Sequence, residues 1–205
     1  QAWDNRQMDT VQALMPTLKD YPLYPYLEYR QITDDLMNQP TVTVNNFIQA
    51  NPTLPPARTL KSRFVNELAR REDWRGLLAF SPDKPGATEA QCNYYYAKWA
   101  TGQQEEAWAG AKELWLTGKS QPNACDPLFS AWRASGQQDP LSYLERIRLA
   151  MKAGNTRLVT VLAGQMPADY QTIASAVIGL ANDPNTVLTF ARTTGATDFT
   201  RQMAA

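Results

Sequence analysis

Two octets, A-K-W-A-T-G-Q-Q from Ala97 to Gln104 and A-W-R-A-S-G-Q-Q from Ala131 to Gln138, carry nearly the same helix stop and restart 34 residues apart. In each octet the helix stops on a glycine, the residue that closes a helix at C′ because a positive φ is cheap only without a Cβ. Polar residues that can open the next helix follow. A period near 34 residues is two helices plus two turns, too thin a unit to bury its own apolar face without a neighbour. The chain is therefore expected to be all-α, a superhelix of stacked antiparallel hairpins in the manner of tetratricopeptide arrays. Its 205 residues suffice for about five such units.

Helix signals downstream of Thr88 are dense. Thr88 with Gln91 reads as a capping box before Tyr95, Tyr96 and Trp99; Gly102 stops that helix, and a second is predicted from about Gln103 to Trp115. Asp126-Pro127 and Asp139-Pro140 place aspartate at N-cap and proline at N1, with stops at Gly136 and Gly154. Asn155 and Asp169 are predicted to cap two further helices, and Asp183-Pro184 opens another. Upstream, Asp9 and Gln12 resemble a capping box, and Pro55 to Arg71 reads as one long helix. Thr41 to Val44 alternates like a strand, but Val44, Phe47 and Ile48 continue at helical spacing, which favours helix. Gly110 falls inside a helix, where close packing of a neighbour would explain it. No linker divides the chain, so residues 1–205 read as one continuous array. Gln1 to Arg6 and Phe199 to Ala205 read as helices cut short, as in a fragment of a larger protein.

Composition removes several functions. Twenty acidic residues balance twenty basic ones, which leaves no electrostatic footprint for nucleic acid or an anionic membrane. No run approaches the roughly 20 apolar residues of a membrane span. Histidine is absent, and with it the commonest general base, the Ser-His and Cys-His nucleophile pairs and most zinc and iron sites. The glycines are scattered singly and make no phosphate loop, so no nucleotide fingerprint is read, and no metal, cofactor or catalytic residues are assigned. The carboxylate pairs Asp34-Asp35, Glu72-Asp73 and Glu105-Glu106 point about 100° apart on a helix and cannot flank one bond, so structural roles are expected. Arg70, Arg71 and Arg75 beside Glu72 and Asp73 read as a mixed-charge surface of little energetic weight.

Cys92 and Cys125 lie 33 residues apart, at nearly equivalent places in successive hairpins, so stacking would bring them side by side. Two readings stand, buried free thiols or a disulfide made in an oxidising compartment, and the disulfide is the expectation carried forward. Tyr21, Tyr24, Tyr26 and Tyr29 form one aromatic cluster, and Tyr94, Tyr95, Tyr96 and Trp99 another. Wedging of successive hairpins is their first reading. Stacking against sugar rings is the second, with Tyr24, Tyr26, Tyr29, Tyr95 and Trp99 as candidates.

The segments Y-P-L-Y-P-Y-L-E-Y-R-Q-I (Tyr21 to Ile32), N-P-T-L-P-P-A-R-T-L (Asn51 to Leu60), R-R-E-D-W-R-G-L-L-A-F (Arg70 to Phe80) and C-N-Y-Y-Y-A-K-W (Cys92 to Trp99) resemble the N-terminal helical domain of the soluble lytic murein transglycosylases of Gram-negative bacteria. The resemblance covers the whole chain. It implies a periplasmic protein in which a helical superhelix and a linker domain form a ring around a lysozyme-like catalytic domain, the last two lying outside this chain. Such enzymes cleave the β-1,4 bond between N-acetylmuramic acid and N-acetylglucosamine of peptidoglycan, leaving a 1,6-anhydromuramoyl end. The family's catalytic glutamate stands in a Glu-Ser pair, with a Gly-Leu-Met-Gln motif downstream. The glutamates here are followed by Tyr, Leu, Asp, Ala, Glu, Ala, Leu and Arg, so no catalytic residue is carried over and the chain alone is expected to be inactive. Its implied partners are glycan strands and the other domains of the same polypeptide. Apart from the resemblance, a neutral helical array would suggest a peptide- or protein-binding adaptor.

Overall fold

Helix boundaries follow the punctuation of the sequence closely in the computed structural model, which describes residues 2–194. All regular elements among them are helical: α1 (Met8–Leu14), α2 (Tyr24–Asp34), α3 (Thr41–Ala50), α4 (Pro55–Arg70), α5 (Trp74–Phe80), α6 (Thr88–Ala100), α7 (Gln104–Trp115), α8 (Asp126–Ala134), α9 (Leu141–Lys152), α10 (Thr156–Gly164), α11 (Gln171–Asn182) and α12 (Val187–Thr194), with short 3₁₀ turns between some of them. The chain divides into two compact units, Gln1–Ala90 and Gln91–Ala205.

In the first unit, Thr41 to Val44 is helical because Val44 and Phe47 turn inward one helical turn apart. The core joins them to Leu60, Phe64, Val65, Leu68, Leu77 and Phe80, with the rings of Phe64 and Phe80 edge to face at 4.9 Å. The turn from α4 into α5 needs a left-handed residue, and Glu72 supplies it at φ +56°. There the Glu72 N–H donates to Ala69 O and the Asp73 N–H to Leu68 O. Asp73 then caps α5 by accepting from the Gly76 N–H at 2.9 Å. Nor is the arginine cluster purely superficial. Arg71 donates to Leu36 O and Gln39 O, pairs with Glu67, and lies over the Phe64 ring at 5.3 Å.

In the second unit, α6 and α7 form the predicted hairpin, closed at Gly102 with φ +90°; Gly136 and Gly154 take φ +72° and +68° after α8 and α9. Gly110 lies under Tyr95, where a Cβ would come 2.3 Å from ring carbons. Gly118 approaches the α9 backbone as closely, a Cβ falling 2.3 Å from Leu149 O. Trp115 is the hub of this core: it is 2% exposed, packs edge-on against Phe129, Trp132 and Tyr143, and its Nε1–H donates to Ser142 O at 3.0 Å.

Several sequence expectations are corrected. Residues 2–6 form turns, with Arg6 at φ +57°, and do not continue a helix. Asp9 lies inside α1 behind Gln7, and Asp169 lies within a 3₁₀ turn before α11; neither caps its helix. Asp126 begins α8 behind Cys125 without a side-chain cap. Asp139, Asn155 and Asp183 do accept backbone N–H groups, from Leu141, Leu158 and Asn185. The helix expected at Phe199 to Ala205 lies outside the described residues.

Candidate functional site

The two cysteines meet as expected: Cys92 on α6 and Cys125 in the 3₁₀ turn leading into α8 form a disulfide with 4.8 Å between Cα atoms, both fully buried. A cross-link between helix starts 33 residues apart holds successive hairpins in register. It staples the α6–α8 segment that also carries one of the aromatic clusters.

The predicted ring-stacking residues fall in separate units. Tyr24, Tyr26 and Tyr29 belong to α2, where Pro25 sits in the first turn; Tyr26 is 45% exposed, and Tyr29 is half-buried beside Phe47 with ring centroids 6.3 Å apart. The Tyr29 hydroxyl accepts from Arg63 at 3.1 Å. Spacing of three residues places Tyr26 and Tyr29 on one face, and Tyr24 lies off it. Beside Tyr29 opens a cleft of about 390 Å³ between α2 and α3, lined by Glu28, Gln31, Ile32, Thr43, Asn46, Phe47, Ala50 and Asn51. Burial pushes the Glu28 carboxyl upward, partly opposed by Lys19. An aromatic edge beside amides, a hydroxyl and one carboxyl is suited to an uncharged polyol.

Tyr95 and Trp99, one turn apart on α6, are half-buried. Tyr95 packs on Gly110 and meets Tyr94 at 5.2 Å, and Trp99 lies between Tyr96 at 5.0 Å and Trp108 at 6.4 Å. Lys98 lies over Tyr94 and pairs with Glu106 at 3.0 Å, the contact that raises its pKa. Glu106 thus ties the start of α7 to the end of α6, a structural role for one of the carboxylate pairs. No group of three or more His, Cys, Asp or Glu suited to a metal occurs among the described residues. None of the helices described is long and apolar enough to cross a membrane.

One site was not foreseen from sequence. Arg146 on α9 is only 4% exposed and lies over the ring of Trp115 at 4.3 Å, with Phe129 at 5.6 Å. Burial lowers its pKa to about 10, against the favourable charge of Asp126. It lines an open cleft of about 330 Å³ that Arg133 and Arg157 also reach. Its helical position, one residue before Ile147 of the predicted apolar stripe, was the available signal: an arginine bordering an inward-facing stripe.

No family model matches the chain. The chain is 89% identical, over all 205 residues, to the soluble lytic murein transglycosylase of Escherichia coli strain K12, and 85% identical over 204 residues to that of Salmonella typhimurium. It spans 32% of the length of each of these curated relatives. Among solved structures, it superimposes on the 70-kDa soluble lytic transglycosylase in complex with bulgecin A with a TM-score of 0.94 at 89% identity, covering 99% of this chain and 33% of that one. An inactive variant of the lytic transglycosylase Slt from Pseudomonas aeruginosa superimposes with a TM-score of 0.83 at 32% identity, over 95% of this chain and 31% of that one.

Proposed function

We propose that this chain is a non-catalytic helical scaffold from a periplasmic lytic murein transglycosylase. The observation that carries this reading is 89% identity along the whole chain to proteins of which it spans only a third. In this reading, residues 1–205 belong to one superhelical domain. Linker and lysozyme-like domains of the same polypeptide complete a ring, and the catalytic glutamate lies in the latter. The whole enzyme cleaves the MurNAc-GlcNAc bond with closure of a 1,6-anhydro ring, so no water is consumed. Tuning an acid for that step takes a pocket that raises its pKa toward the working pH. No Glu-Ser pair exists here to occupy one.

The scaffold's second task is to guide glycan strands. The exposed ring of Tyr26, the half-buried Tyr24 and Tyr29 beside the Glu28 cleft, and Tyr95 with Trp99 on α6 are the surfaces offered to sugar faces. A disulfide between buried cysteines suits an oxidising compartment such as the periplasm. Co-sedimentation with insoluble murein tests the guidance: the chain is expected in the pellet, and Tyr26→Ala with Tyr29→Ala is expected to release it. A chain that stays wholly in the supernatant overturns glycan guidance. The turbidity of a murein suspension should not fall with this chain alone; a fall would place catalysis within it.

A further inference from the structure

Among the described residues, the Nε–H of Arg146 has no hydrogen-bond acceptor, in a side chain that is almost wholly buried. Its Nη2–H donates to Lys119 O over a long 3.4 Å. Burying a cation without an anion is costly, and stacking on an aromatic ring offsets only part of that cost. Trp115 and Phe129 therefore orient the guanidinium without neutralising it. Asp126 reaches the same cleft but makes no ion pair with Arg146 among the described residues.

Two more cations face the opening. Arg133 on α8, which contacts the Gln165 side chain at 3.4 Å, and Arg157 at the start of α10 line the cleft with Ser130. On α10 itself, Leu158, Val161 and Leu162 also line the cleft, with Val161 48% exposed. A buried guanidinium, two exposed ones and a single carboxylate leave the cleft positively charged beside an aliphatic wall. The planar fork of arginine matches a carboxylate, and the wall matches a small aliphatic group attached to it.

We propose that the cleft between α8, α9 and α10 binds the free C-terminal carboxylate of a short peptide, with Arg146 at its floor, Arg133 and Arg157 at its rim, and Val161 and Leu162 against the terminal aliphatic side chain. The inference stands on this cleft alone and survives or fails independently of the murein reading. Chain ends of this chemistry come from two sources: proteins end in L-residues, and murein stem peptides end in D-alanine.

Titration calorimetry on the full chain, with acetyl-L-Ala-L-Ala, acetyl-D-Ala-D-Ala, their C-terminal amides and inorganic phosphate, tests it. A saturable heat is expected for at least one acid, and amidation is expected to weaken binding about tenfold by removing the charged fork partner. Preference for the D-peptide assigns the source to murein, and preference for the L-peptide to protein termini. Arg157→Gln, at an exposed position, should weaken binding about threefold without changing the melting temperature; Arg133→Gln should weaken it as much, with a slightly lower melting temperature because Arg133 also lies over the ring of Tyr143. Arg146→Met should abolish binding and leave the free chain as stable or more so, since an unpaired buried charge is removed. Equal binding of acids and amides, phosphate binding as tight as the acids, or no saturable heat would each overturn the proposal. So would an Arg146→Met chain that unfolds while both rim variants bind normally.

Discussion

The ring of Tyr95 lies across Gly110 so closely that a methyl group there would meet three ring carbons at 2.3 Å. This contact sets the spacing of α6 and α7 in the hairpin that the sequence marks most plainly. Gly110→Ala is expected to destabilise the chain by about 1–2 kcal/mol, because overpacking outweighs the gain of roughly 1 kcal/mol in helix propensity. In a Tyr95→Ala background the same substitution should be neutral or stabilising. A double-mutant cycle by urea denaturation measures the difference, and additive effects would refute the contact.

The Cys92–Cys125 disulfide closes a loop with a sequence separation of 33. Replacing both cysteines by alanine should lower stability by about 3–4 kcal/mol on the chain-entropy account. Thiol labelling in denaturant should show no reactive cysteine before reduction and both after it. Two reactive thiols in the unreduced chain would contradict the structure.

At the end of α4, Glu72 holds φ +56°, in a helix-closing turn that glycine makes elsewhere in the chain. Glu72→Gly should stabilise by about 0.5–1 kcal/mol, the left-handed strain relieved exceeding the entropy that glycine adds to the unfolded chain. The melting temperature reads this directly. A drop would mean that the Glu72 side chain has a structural role.

Acid should unfold the first unit partly through Glu67. Its carboxyl is held below the usual range first by the hydrogen bond from Arg70, with Arg71 assisting and burial opposing. A depressed folded-state pKa contributes stability that is present above the unfolded value near 4.5 and is lost as pH falls through the folded value. Glu67→Gln should therefore lie below the parent in stability at neutral pH, by on the order of 1 kcal/mol, and converge with it in acid. Parallel stability curves down to low pH would exclude this ion pair as a source of acid sensitivity.

Much of the fold was legible locally. Gly102, Gly136 and Gly154 stop helices because a positive φ is a local demand, and Asp139, Asn155 and Asp183 serve helix starts because their side-chain oxygens reach N–H groups two or three residues on. Asp9 and Asp169 misled because a cap needs the aspartate just outside the helix, a shift of one or two residues that packing decides. The aromatic candidates were located by composition, but which faces stay open depended on neighbours: Tyr95 is held against a glycine from another helix, and Tyr29 against Phe47 and Arg63.

The sequence by itself determined the all-helical class, the hairpin period and the pairing expected of Cys92 and Cys125, since each rests on spacing along one chain. Only the tertiary structure decided that Arg71 anchors the carbonyls of Leu36 and Gln39, and that Arg146 lies buried over Trp115 beside an open cleft. The environment of a charged side chain is set by helices distant in sequence. Helical periodicity can place an arginine near an inward stripe, but it cannot say whether the space it enters holds an anion, an aromatic face or water.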